Sequence, residues 1–228
     1  LDDHQVSAEL TASARVGMHR YTFPAGKPGH IVLDLRTSMY DYPGKISWSR
    51  LRVRPDGTVT GFRETRGWAP GRQLYFAVRF SQPFTGHQLH NTEQDIPYKG
   101  FPPPGEKDPR QRAQIEGRQL VAAFDVAPAA GQPALVKVAI SPVSEDNAIA
   151  NLDAESPGWD FDGLRASAKR QWRDALGAVE AHGNRAQLTS FYTALYHTLL
   201  GPTLFMDNDG RYRGPDNAVH QADGWTNY

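Results

Sequence analysis

The side chains best able to do chemistry crowd into residues 191–228, where Tyr, Trp, His, Asp and Arg alternate with glycine turns. Within them, Asp207-Asn208-Asp209-Gly210-Arg211-Tyr212-Arg213-Gly214 opens like a calcium loop, because alternating oxygen ligands and a glycine turn suit a hard cation. The complete pattern needs another oxygen ligand at 211 and a glutamate at 218, where this chain has Arg211 and Ala218. An Asx-type turn before a short strand accounts for the stretch without a metal. Arg213, Asp216, His220 and Asp223 then form a polar set around Gly214 and Gly224. Forked Arg and carboxylate contacts suit the vicinal diols of a sugar; the same groups can equally pin a loop between two domains.

Elsewhere, Trp68 follows a glycine in Gly67-Trp68-Ala69-Pro70, as a platform for a pyranose ring would, or as a buried interdomain ring would. Trp225 and Tyr228 read as interdomain core. Glycoside hydrolysis by inversion needs two carboxyl groups about 6.5–9.5 Å apart. Glu64, Glu93, Glu106 and Glu116 all fall on strand edges or loops, and no such pair stands out. His19, His197 and His220 lack zinc spacing, and His197 reads as a buried, hydrogen-bonded histidine. There is no Gly-x-Ser-x-Gly elbow and no phosphate-binding glycine loop.

Composition narrows the partners. The 228 residues carry 25 basic and 25 acidic side chains, so no net field gathers nucleic acid or an anionic membrane. Zero cysteines leave no disulfide or thiolate metal site. No apolar run reaches the roughly 20 residues of a membrane span, and Leu1-Asp2-Asp3-His4 is not a signal peptide. The direct entry into strand-like alternation suggests that the sandwich is incomplete at its start.

The elements that must position these groups follow from periodicity. Val6, Ala8, Leu10 and Ala12 alternate as the buried face of a strand, and residues 18–23 continue in kind before the turn Pro24-Ala25-Gly26. A short apolar run spans 31–35. Ile46 and Trp48 change phase against Leu51 and Val53, which predicts a bulge. Asp56-Gly57 predicts a hairpin. Leu74, Phe76, Val78 and Phe80 alternate, and further strands are expected at 119–126 and 134–141, whereas residues 82–117, rich in Pro and polar groups, read as a long insertion loop. From Ser144, a suitable N-cap, the period turns helical. Asp162 is the expected cap of a second helix with Leu164, Ala168, Trp172, Leu176 and Val179 on one face, stopped at Gly183. A third helix, 187–200, carries Leu188, Phe191, Leu195 and Leu199 as its buried stripe and ends at Gly201-Pro202. The expected architecture is an antiparallel β-sandwich over 1–143, a helical linker over 144–184, and the truncated first segment of a second, helical domain over 185–228.

Several long stretches carry a family likeness: FYTALYHTLLGPTLFMDNDGRYRG (191–214) with VHQADGWTNY (219–228), HRYTFP (19–24), GWAPGRQLYFAVRFSQPF (67–84), VKVAISPVSEDNAIANLDAE (136–155) and the Trp172 helix. Together they resemble glycoside hydrolase family 92, the exo-acting α-mannosidases, in the same order and over nearly the whole chain. The resemblance implies a super-sandwich joined to an (α/α)6 barrel, a chain that is a fragment of a longer enzyme, and catalytic acid and base beyond residue 228. It further implies removal of terminal α-mannose from glycans with inversion, a calcium ion held by residues that cannot be placed in this chain, and secretion or the periplasm as the compartment. Its partners would be a mannose-containing glycan and the remainder of the catalytic domain, with Trp68, Asp207, Arg213, Asp216 and His220 as candidate substrate contacts. Fragment 1–228 alone would be inactive. A non-catalytic carbohydrate-binding sandwich is the alternative, and another enzyme built of a sandwich and a helical barrel is a third.

Overall fold

The computed structural model describes residues 1–24, 27–37, 42–67, 71–93, 112–129 and 132–224. A seven-stranded antiparallel sheet dominates it. In spatial order this sheet holds β1 (Ser7–Ala12), β2 (Val16–Thr22), β10 (Ala134–Ser141), β6 (Arg72–Phe80), β5 (Val59–Thr65), β4 (Ile46–Val53) and β8 (Gln114–Gly117). A smaller sheet of β3 (Gly29–Asp34), β9 (Leu120–Val126) and β7 (Gly86–Asn91) stacks on one face. Leu51, Val59, Phe76, Val78, Leu89, Leu120, Phe124 and Val136 fill the space between them.

The hairpin at Asp56-Gly57 forms as its residues predict. Asp56 accepts from the Thr58 backbone N–H at 2.9 Å, and Gly57 sits at φ 79°, a conformation that glycine adopts freely. The β4–β5 register shift lies between Ile46 and Trp48, one strand-end earlier than the phase change at Leu51 suggests. Residues 82–117 are not one long loop: β7 and β8 lie inside that interval, and 94–111 fall outside the described residues. β7 reads Gly-His-Gln-Leu-His-Asn and buries chiefly Leu89 and Asn91, so it shows no apolar alternation to detect.

The first strand corrects another expectation. Leu10 pairs with His19, His19 with Val136, and Val136 with Phe80, which puts Leu10 on the face that holds the sandwich core. The three-stranded sheet stops short of β1, and Leu10 is left 65% exposed.

On the opposite face of the large sheet, Val16, Ala139 and Ala77 form a cross-strand row of small, buried side chains. Into it sink Ala148 and Leu152 of α1 (Glu145–Glu155), capped by the Ser144 hydroxyl, which accepts from the Asn147 N–H at 3.0 Å. α2 (Phe161–Leu176) is capped by Asp160, not Asp162, and ends at Gly177 rather than Gly183. Asp162 instead binds Arg20, whose guanidinium also covers the Phe161 ring at 4.2 Å. α3 (Arg185–Thr198) begins at Asn184 with a reciprocal capping box to Gln187. Its apolar stripe is only partly covered by the described residues: Leu188 and Leu195 are half-buried and Tyr196 packs on Trp172 of α2, but Phe191 and Leu199 are exposed, as are Leu200 and Trp172. His197, expected inside, is also exposed.

Gly61 tests how closely the core fits. A Cβ there would lie 1.9 Å from the Arg50 carbonyl oxygen and 2.7 Å from the Phe76 ring. Gly61→Ala is therefore expected to destabilise the sandwich by about 2 kcal/mol, the usual scale of overpacking, as read from a denaturant midpoint.

Candidate functional site

After α3 the chain returns to the sandwich and forms a two-stranded hairpin of β11 (Arg211–Arg213) and β12 (Val219–Gln221). Asp207 precedes it and is only 1% exposed. One carboxylate oxygen accepts from the Ser141 hydroxyl at 2.6 Å, the other from the Asn151 side-chain amide at 2.8 Å. The Ser141 oxygen itself accepts from the N–H groups of Val143 (2.9 Å) and Ser144 (3.3 Å), so its only proton points at Asp207. Asn151 gives its second amide proton to the Ile140 carbonyl and accepts from the Asn208 N–H. Burial pushes the Asp207 carboxyl above the ordinary aspartate range, opposed by hydrogen bonds from Ser141, Asn151 and Asn147.

Two arginines complete the junction. Arg15, in the turn between β1 and β2, donates to the Met206 carbonyl at 2.6 Å and to the Asp207 carbonyl at 3.3 Å, while Glu155 at the end of α1 accepts from its guanidinium and its backbone N–H. Arg213 donates to the carbonyls of Pro142 (3.1 Å), Val143 (2.9 Å) and Asn217 (2.8 Å). Every one of these contacts is internal. Asp207 and Arg213 thus occupy structural positions, with Asp207 closed to solvent, which corrects the expectation that its carboxylate faces a sugar.

Asp216 and His220 lie on the exposed side of the hairpin. His220 Nε2 is 3.0 Å from both Asp216 carboxylate oxygens, and its ring lies 5.6 Å from Tyr212. The His220 contact and the Ala218 N–H hold the Asp216 carboxyl below its usual range. Asp216, His220 and Asp223 of the sequence-predicted polar set are exposed and accessible to a ligand. Trp68, Trp225, Tyr228 and Glu106 lie outside the described residues.

The donor set does not suit calcium. Asp207 is spent on Ser141 and Asn151. Burial works to raise the Asp209 carboxyl, but the contacts of Arg211 outweigh it and hold it low, with the Asn147 amide also donating to it. Among the described residues, no group of three or more His, Asp or Glu side chains is arranged to hold a metal ion. Glu64 accepts from Ser47 at 2.7 Å and Gln73 at 3.0 Å, contacts that keep it ionised; Glu116 lies beside Arg50 and Trp48. Arg15, Ser141, Asn151 and Glu155 carry the junction and could not be singled out from sequence, because nothing in their local spacing links them to Asp207.

Residues 1–141 match the glycosyl hydrolase family 92 N-terminal domain and residues 147–228 match its catalytic domain. A family 92 α-mannosidase from Bacteroides thetaiotaomicron is 34% identical over 100% of this chain, with a TM-score of 0.86, and the chain spans 30% of that structure. A family 92 inverting mannosidase from the same species is 25% identical over 95% of this chain at a TM-score of 0.77, and the chain spans 28% of it. An uncharacterized secreted glycosidase from Arthroderma benhamiae shares 30% identity over 71 residues, which are 29% of this chain and 9% of that protein. With both parts of the chain matched by the family's two domains, the chain belongs to glycosyl hydrolase family 92.

Proposed function

We propose that the polypeptide carrying this chain is an exo-acting α-mannosidase that removes terminal α-mannose from glycans with inversion. In this reading residues 1–143 are the sandwich, 144–184 the linker and 185–228 the first part of the catalytic domain. The observation that carries it is the fixed junction at Asp207 and Arg213, where the stretch after α3 is bolted to the end of β10 and to α1. A free-standing binding module has no use for such a shoulder. Nor has it a use for the exposed rings and leucines of α2 and α3, which suit further helices of a catalytic domain.

Asp216 and His220 stand on the open side of that shoulder, where they would approach substrate. Inversion is supported by the description of one solved relative as an inverting mannosidase, and mannose recognition by another solved in complex with mannoimidazole. A secreted or periplasmic location draws on the relative described as a secreted glycosidase. No helix among the described residues is long and apolar enough to cross a membrane. Calcium enters as a requirement of the whole enzyme, met by residues outside this chain.

The full-length protein is expected to release mannose from an aryl α-mannoside, with β-mannose as the first-formed anomer by proton NMR. A chelator is expected to abolish release and added calcium to restore it. First-formed α-mannose would refute inversion, and the absence of any release would refute the mannosidase reading.

A further inference from the structure

The sandwich is closed along one side and open along the other. β7 packs against β8 on the closed side. On the open side the large sheet runs on through β2 to β1, whereas the small sheet ends at β3. Leu35 donates to the Leu120 carbonyl at 3.0 Å, so in this antiparallel ladder Ile31 and Leu33 turn their backbone groups toward β9, and His30 and Val32 turn theirs outward. These outward N–H and C=O groups meet no other strand among the described residues. Along the same edge runs a groove of about 760 Å³, lined by Val6, Tyr21 and Phe23 and by β3 from His30 to Val32. Val32 is 61% exposed.

We propose that a β-strand from the part of the full-length polypeptide outside residues 1–228 pairs with the free edge of β3 and covers Leu10 and His19. The proposal needs the longer polypeptide of the reading above, but not its activity. Neighbouring strands lie about 4.8 Å apart and stacked sheets about 10 Å apart. Because β7 stands beside β8, the next place beyond β3 falls over β2 and β1. There the core face of the large sheet presents the rows Leu10–His19–Val136 and Ala8–Tyr21–Ala134. Tyr21 reaches the core cluster, and its hydroxyl lies 2.8 Å from His19 Nδ1. Leu10 is the member of these rows that the small sheet leaves outside.

Backbone chemistry selects the occupant. A row of outward N–H and C=O groups at strand spacing is matched by another extended backbone, and side chains alternating along that strand would drop onto Leu10 and His19. A helix laid over the edge satisfies none of those groups. Shape decides between the same polypeptide and a second copy. The large sheet overhangs β3 by β2 and β1, so a second folded copy brings its own β1 against this β1 before its β3 can reach β3. A single inserted strand meets no such obstacle. The length for it exists in proteins of this kind: residues 1–228 span 30% of the α-mannosidase that they match over their whole length.

The test uses the full-length protein and two readouts. Hydrogen exchange with residue resolution is expected to show the His30 and Val32 amides exchanging within about tenfold of Ile31 and Leu33, whose partners on β9 are already in place. Faster exchange than that means an open edge and overturns the proposal. The second readout places the photo-crosslinker p-benzoylphenylalanine at position 10 in place of leucine. Capture of a stretch of the same molecule outside residues 1–228 is expected on peptide mapping. Capture of a second copy, of a stretch within 1–228, or of nothing overturns the proposal. Mannose release enters neither readout, so failure of the α-mannosidase reading and failure of this one are separate results.

Discussion

Asp207→Ala is expected to cost about 3 kcal/mol of folding stability and to release the 206–213 segment from the sandwich. The size follows from what the truncation strands. The Ser141 oxygen is held by the N–H groups of Val143 and Ser144, which aims its proton at the place Asp207 vacates. One Asn151 amide proton loses its partner in the same buried site. Each orphaned donor costs roughly 1–3 kcal/mol. Asp207→Asn is expected to lose less, because one amide oxygen still accepts, but its NH2 must face a donor whichever way it is turned. The measurements are a denaturant midpoint of the full-length protein and hydrogen exchange at the amides of Asp207 and Gly210, whose bonds to Arg211 and Asp207 close the turn. Unchanged exchange in Asp207→Ala would show that Arg15 and Arg213 hold the segment unaided.

Acidity adds a signed check on the same residue. The Asp207 carboxyl is raised above its ordinary value near 3.8, chiefly by burial. Its native state therefore binds the proton more readily than the unfolded chain does. The contribution of this site to stability is complete below the unfolded value and is lost as pH rises through the higher native one. The stability gap between wild type and Asp207→Asn should accordingly widen in favour of wild type on acidification through that window.

What could be read from the sequence was local. Asp56-Gly57 encodes its own turn, Ser144 its own cap, and Leu74 to Phe80 a strand whose inward face is written in the alternation. Each of these depends on neighbours within a few positions, so the residues themselves carry the signal. The junction does not. Ser141 and Asp207 are 66 positions apart, and Arg15 meets the Met206 carbonyl across 191. No spacing rule connects them, and Asp207 therefore looks like a loop carboxylate open to ligands when its partners are unseen. Leu10 shows the complementary limit: its face is correctly encoded, but whether anything covers that face depends on how far the second sheet extends.

Lys137 is the second place where one side chain holds two elements together, and Lys137→Ala is expected to cost about 3 kcal/mol. The residue is 2% exposed, and its ammonium donates to the carbonyls of Ser156 (2.5 Å) and Gly158 (2.8 Å), 4.2 Å from the Trp159 ring centre. It thereby ties the interior strand β10 to the link between α1 and α2. Alanine removes both donors and leaves a cavity under that link, two losses that add. Lys137→Met keeps most of the volume and sheds the buried charge, so its cost should fall to about 1 kcal/mol. Burial, with Arg79 nearby, lowers the Lys137 pKa from its ordinary 10.5. The unfolded chain then binds this proton more readily than the native one, and the site gains stability as pH rises from the lowered native value toward 10.5. Wild type should therefore gain on Lys137→Met with increasing alkalinity, the opposite direction to Asp207. Denaturation of both variants across pH separates the two: a gap for Lys137→Met that shrinks with rising pH would mean the ammonium is better stabilised by its two carbonyls and the ring than by water.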